Sequence, residues 1–254
     1  MTADDLHPQK STAGAPVSPR RIAIVPAFNE EQAIERVIDE IRAADPGLKI
    51  LVVDDGSTDR TGALAGARGV EVLRLPFNLG IGGAVQTGYL YAIEHDFAIA
   101  VQIDGDGQHD PAQLELLLAP ILAGTADLVV GSRFAHGRHP AAFSRRAGMR
   151  VLAALVSVLA RKRFTDTTSG FRALNRRAIA LFAADYPHDY PEVEAVLMAA
   201  RNRLRLVEVP VTMRRREAGH SSITTARSFY YMAKVTIALL IGLFRRRVIP
   251  QEER

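Results

Sequence analysis

The 254-residue sequence predicts an α/β fold built on a mostly parallel sheet with helices on both faces. Three observations carry this. Short β-branched or aliphatic runs alternate with helical stretches, polar turn residues gather where those runs end, and the composition is globular, at 48% hydrophobic and 24% charged residues.

RIAIVPA (21 to 27) reads as the first strand, followed by a helical stretch over 30 to 44. KILVVDD (49 to 55) and a helix near 59 to 67 repeat the unit, as do VEVLRL (70 to 75) and a helix over 80 to 95. FAIAVQID (97 to 104) is the fourth strand, and Asp110 and Pro111 supply the cap and first residue of a helix over 111 to 122. DLVVGS (127 to 132) is the fifth. Beyond it the pattern loosens into a helix at about 144 to 160, a turn around DTTSGF, helices near 175 to 183 and 191 to 200, and a last strand, RLVEVPV (205 to 211).

The net charge of +4 conceals a division. Residues 1 to 130 hold 9 Lys and Arg against 19 Asp and Glu, while residues 131 to 254 hold 23 against 9. Such a split suits cations in the first half and phosphates or a lipid surface in the second. The basic residues are dispersed among apolar helices without a nucleic-acid motif, so nucleic acid is not expected as a partner. No cysteine is present, which excludes disulfides and thiolate metal sites.

Residues 1 to 20, rich in Pro, Ser, Thr and Ala and without an apolar core, read as a disordered tail and not a signal peptide. Near the other end, VTIALLIGLF (235 to 244) falls short of the roughly 20 apolar residues of a membrane span. The expected organisation is therefore a tail over 1 to 20, a catalytic domain over 21 to 221, and an apolar helix with a basic tail over 222 to 254.

In an open parallel sheet, ligands settle beyond the carboxyl ends of the strands. The polar groups there are PAFNE, DDGSTD, NLGIGGAVQTG and DGDGQHD. With the backbone extended over 104 to 106, Asp104 and Asp106 point to the same side, and Gly105 admits a close approach. Two carboxylates facing together repel, so a hard divalent cation, Mg²⁺ or Mn²⁺, is their natural neutraliser, with Gln108 as a third oxygen ligand. A calcium-binding EF-hand loop is excluded by His109 at its glycine position, by Pro111 and by the preceding strand. The glycines at 80, 82 and 83 form either a phosphate cradle or a tight helix contact; they match neither the Walker nor the dinucleotide pattern.

Together IVPAFNE, VVDDGSTD, NLGIGGAVQTGY, QIDGDGQHDP, GSRF and DTTSGFR resemble, in order and spacing over residues 21 to 223, glycosyltransferase family 2. Within it the sequence is most similar to the polyprenyl-phosphate sugar transferases, the dolichyl-phosphate mannose synthase-like group. The resemblance implies a GT-A fold, a UDP- or GDP-linked sugar donor and inversion at the anomeric carbon. It places Pro26, Ala27, Asn29 and Glu30 at the nucleotide, Asp54 and Asp55 near base or ribose, Asn78 and Gly82 at the substrate, and Asp104, Asp106 and Gln108 on a metal at the diphosphate.

A phosphate monoester acceptor, with a second pKa of about 6, needs cations more than it needs a base. Arg133 and Arg172 are the first candidates, ahead of Arg145, Arg146, Arg214, Arg215 and Arg216. The resemblance sets Asp166, Ser169 and Gly170 beside the acceptor, with Asp166 either orienting an arginine or acting as base. Glu192 and Glu194 lie near the acidic base of relatives that use hydroxyl acceptors, the alternative reading, and His220 is a further phosphate candidate. VLAALVSVLA (151 to 160) and VTIALLIGLF each end in a cationic cluster. These segments predict peripheral or monotopic association with the cytoplasmic face of the cell membrane. The reading leaves a homo-oligomer open.

Overall fold

The computed structural model describes residues 19–134, 153–154, 156–159, 163–188 and 190–214. The 222 to 254 segment, most of the N-terminal tail, and Arg145, Arg146, Arg215, Arg216 and His220 lie outside the described residues, as does most of the basic cluster after residue 160.

The chain runs β1 (Arg21–Ala27), α1 (Ile34–Ala44), β2 (Lys49–Asp54), α2 (Thr61–Ala67), β3 (Glu71–Arg74), α3 (Gly80–Glu94) and β4 (Ile99–Gln102). A 3₁₀ turn (Pro111–Gln113) then leads into α4 (Leu114–Leu122), followed by β5 (Leu128–Ser132), β6 (Arg172–Asn175), α5 (Arg176–Ala184), α6 (Pro191–Arg201) and β7 (Leu206–Pro210). The seven strands form one sheet in the order β3-β2-β1-β4-β6-β5-β7. Neighbours pair in parallel except at β6, which is antiparallel to both β4 and β5.

Strand β6 is not among the strands that the sequence predicts, where FRAL reads as the end of a turn before a helix. Asn175 ends it by accepting a hydrogen bond from the Ala178 amide at 3.0 Å, which starts α5. Asp110 does the same for Ala112 at 3.2 Å, with Pro111 following, as expected.

The two-residue period of the strands divides the core. Ile22, Ile24, Leu51, Val53 and Val130 face the side covered by α3, α5 and α6. Ala23, Val25, Ile50, Val52 and Val129 face the side of α1 and α4, where Ile34, Val37, Ile38 and Ile41 form the buried stripe of α1. Helix α3 rides close on β1 because Gly88 has no side chain: a Cβ there would lie 2.3 Å from Ile24 Cγ2.

From β1 the chain builds outward through β2 to β3, then returns to add β4 on the other flank of β1. The β1/β4 boundary is thus where strand order reverses, and a cleft opens beyond the carboxyl ends of those strands.

Candidate active site

The cleft has a volume of about 300 Å³ and is bordered by Pro26 and Ala27 at the end of β1, Phe28 and Glu30 after it, Asp55 after β2, Asn78, Gly80, Ile81 and Ala84 around the start of α3, and Asp104, Gly105 and Asp106 after β4. Its floor is stitched by the Gly105 amide, which donates to the Pro26 carbonyl at 3.1 Å, and by the Asp55 amide, which donates to Ala27 at 2.9 Å. Gly105 packs so closely that a Cβ would meet Ala27 Cβ at 3.0 Å.

Asp104 and Asp106 share this cleft, as their spacing predicts, but by another route. The extended backbone expected over 104 to 106 is absent: β4 ends at Gln102 and residues 105–107 turn, with Gly107 at φ 75. The turn, not the pleat, brings both carboxylates to one wall. Gln108 donates its amide N–H to Asp106 Oδ1 at 3.0 Å and its side-chain nitrogen to Asp106 Oδ2, and it does not itself border the cleft. It therefore braces Asp106 instead of presenting the expected third oxygen alongside it. Among the described residues, no group of three or more His, Asp or Glu forms a closed metal cage. Two hard carboxylate oxygens on an open cleft wall do fit a divalent ion that shares its remaining positions with a ligand's oxygens.

Asp104 has a neighbour on each flank, and one of them, His109, is a residue that sequence reasoning did not assign to the site. The Asp104 amide donates to His109 Nδ1 at 3.0 Å, which places the proton of a neutral imidazole on Nε2, 3.6 Å from Asp104 Oδ2. The buried His109 ring stacks on Phe171 at 4.9 Å. On the other flank, a Cβ on Gly170 would lie 3.1 and 3.2 Å from the Asp104 carboxylate oxygens. The imidazole was legible only as a departure from a calcium loop.

Nucleotide-side expectations divide in the structure. Asn29, at φ 55, accepts from the Thr58 amide at 2.9 Å while its own amide donates to Ser57 Oγ at 3.0 Å, which ties the β1 and β2 loops together. Asp55 reaches the cleft and accepts from the Leu79 amide at 2.7 Å. Burial pushes its carboxyl above the usual range, against the pull of the Leu79 and Gly80 amides. Asp54 does not border the cleft: its Oδ1 takes the Ser57 amide at 2.9 Å and its buried Oδ2 lies 3.7 Å from Arg74 Nε, beyond hydrogen-bond reach. Asn78 lines the cleft and accepts from the Gly80 amide at 3.0 Å. Gly82, expected at the substrate, is not among the residues that border the cleft. It is buried, and a Cβ there would lie 2.6 Å from the Pro187 carbonyl oxygen and 2.9 Å from His188 Cα, so its smallness serves helix packing.

Among the residues expected at the acceptor, Arg133, after β5, forms a two-pronged pair with Asp166: Nε to Oδ2 at 2.6 Å and Nη2 to Oδ1 at 2.8 Å, with Nη2 also on Thr168 Oγ1 at 2.6 Å. Burial of Asp166 would raise its carboxyl pKa, but the hydrogen bonds and charge of Arg133 hold it below the ordinary value. Both carboxylate oxygens of Asp166 are thus engaged by Arg133, the arrangement expected of a residue that orients an arginine. Ser169 is buried, its Oγ accepting from the Phe171 amide at 3.3 Å.

Arg172 has no exposed surface; it donates from Nε to the Ser169 carbonyl at 2.8 Å and from Nη2 to the Glu192 carbonyl, which ties loop to helix, and its buried Nη1 has no hydrogen-bond partner among the described residues. Burial pushes the Glu192 carboxyl up; Arg172 and Arg133 oppose this and Asp104 adds to it. Helix α6 thus brings a carboxyl within electrostatic range of Asp104. Arg214 is likewise spoken for, pairing with Glu40 at 2.6 Å and Asp110 at 2.9 Å.

Residues 22–186 match the family described as glycosyl transferase family 2, and the chain belongs to that family. It is 34% identical over 215 residues to an undecaprenyl-phosphate mannosyltransferase of Micrococcus luteus, covering 81% of this chain and 88% of that one. It is 32% identical over 231 residues to a polyprenol monophosphomannose synthase of Mycolicibacterium smegmatis, covering 85% of each. The fold matches the crystal structure of glucosyl-3-phosphoglycerate synthase from Mycobacterium tuberculosis in complex with Mn²⁺, UDP and phosphoglyceric acid. That match has a TM-score of 0.65 at 24% identity, over 90% of this chain and 80% of that one. The expected GT-A architecture is borne out.

Proposed function

We propose that this glycosyltransferase moves a sugar, with inversion, from a nucleoside diphosphate to polyprenyl phosphate at the cytoplasmic face of the membrane. The observation that carries the reading is the Asp104/Asp106 pair on one wall of the cleft at the β1/β4 switch point. The polyprenyl-phosphate acceptors of the two relatives support the choice of acceptor.

Asp104 and Asp106 would hold Mg²⁺ or Mn²⁺, which when bound stabilises the negative charge that develops on the leaving diphosphate. Asp55, Asn78 and the 26–30 segment border the same cleft and are available to the nucleoside end of the donor. An acceptor phosphate is already largely dianionic near neutrality, so the protein needs to position it, not to remove a proton. Arg133 is suited to this, because Asp166 and Thr168 hold its guanidinium in a fixed orientation through Nε and Nη2. Among the described residues no helix is long and apolar enough to cross a membrane. The apolar and basic segments at 151 to 163 and 235 to 247 would supply the surface contact.

The test is incubation with UDP- and GDP-linked sugars and undecaprenyl phosphate, with and without Mg²⁺ or Mn²⁺. An acid-labile, organic-extractable sugar product is expected. A water-soluble glycoside formed on a hydroxyl acceptor, with no lipid-linked sugar, would overturn the reading.

A further inference from the structure

Glu208 stands on β7, outside every motif that marks the cleft, and its carboxylate is turned inward onto the 165–170 loop. Oε1 accepts from the Thr165 amide at 3.0 Å and from the Asp166 amide at 2.8 Å. Oε2 accepts from the Thr165 amide at 2.8 Å and from its hydroxyl at 3.1 Å. The Thr165 hydroxyl lies 2.7 Å from Ser132 Oγ, next in sequence to Arg133.

A carboxylate accepting two adjacent backbone amides fixes the peptide between them. Here that peptide carries Asp166, whose side chain grips Arg133 from the opposite direction. The order is thus carboxylate, loop backbone, carboxylate, guanidinium. β7 adds to the sheet edge through β5, in register Val130 to Glu208, so the brace is anchored in the sheet and not in another loop. Burial raises the Glu208 carboxyl, with Asp166 adding to the rise and the loop amides opposing it.

We propose that Glu208 is a positioning residue for the acceptor: it sets the DTTSG loop so that Asp166 presents Arg133 to the acceptor phosphate. This rests on the reading of Arg133 given above.

The experiment compares Glu208→Gln, Glu208→Ala and Arg133→Ala with the unmodified chain, measuring KM for prenyl phosphate and for the donor separately, and kcat with both saturating. Glu208→Gln keeps shape and one acceptor oxygen but sets an NH₂ against an amide N–H. Its acceptor KM should rise about tenfold, the scale of one lost charge-assisted hydrogen bond, and that of Glu208→Ala further. Donor KM, kcat and the unfolding temperature of Glu208→Gln should stay within about twofold or a few degrees of the parent. An unchanged acceptor KM in both Glu208 variants, with Arg133→Ala impaired, overturns the proposal and leaves the acceptor reading standing. An unchanged acceptor KM in Arg133→Ala overturns the acceptor reading itself. Equal loss toward donor and acceptor in Glu208→Gln marks a merely structural glutamate and also overturns the proposal.

Discussion

Gly170 and Asp104 meet closely: a Cβ on the glycine would stand 3.1 Å from Oδ2 and 3.2 Å from Oδ1 of the aspartate, so the carboxylate would have to give by a few tenths of an ångström. Gly170 therefore limits where the Asp104 carboxylate can lie, although the two residues belong to motifs 66 positions apart.

Gly170→Ala should push that carboxylate out of place while costing little in folding, since Asp104 is partly exposed and can rotate. The half-saturating Mn²⁺ concentration for transfer is expected to rise about tenfold. A cation titration of the activity, with thermal unfolding in parallel, checks this; an unchanged titration would mean that Asp104 does not govern cation binding.

Gly82→Ala separates the packing role of this glycine from a phosphate cradle. The added methyl would press on the backbone at Pro187 and His188. Overpacking of this kind costs about 1–3 kcal/mol, readable by urea denaturation, while affinity for the nucleoside diphosphate stays level. Weakened nucleotide binding without loss of stability would restore the cradle.

Asp127 supplies a stability prediction far from the cleft. It is buried, and burial alone would raise its carboxyl, but Arg205 and Asn175 outweigh this and hold it at about 2. A folded pKa below the unfolded one gives stability that is complete above about pH 4 and fades as the pH falls toward 2. Asp127→Asn should cost about 2 kcal/mol at pH 7 and about nothing below pH 2. Denaturant unfolding at pH 3 and pH 7 reads the difference; an equal cost at both would show that charge is not what Asp127 contributes.

Much of the fold was legible because β1 to β5, β7 and the helices between them carry unbroken aliphatic runs or clear helical periodicity. β6 was not, since four residues beginning with an arginine and running straight into a helix give no strand period. Burial of Arg172 is a tertiary fact: it needs the Ser169 and Glu192 carbonyls, the second of which belongs to helix α6. Asp104 and Asp106 were legible as a pair, but the turn that unites them depends on glycines at 105 and 107 packing against β1 and α1. Asp166 and Arg133 were both legible as polar loop residues. Their union across 33 positions, and the brace from Glu208, appear only once β5, β6 and β7 lie side by side.

The decisive measurement is calorimetric binding of UDP and GDP with and without Mn²⁺ or Mg²⁺, by the parent chain and by Asp104→Asn and Asp106→Asn. Cation-dependent binding is expected in the parent and should be lost in both variants, together with sugar transfer, at unchanged unfolding temperature. Cation-dependent binding and turnover that persist in both variants would contradict a diphosphate held through a metal on these two carboxylates.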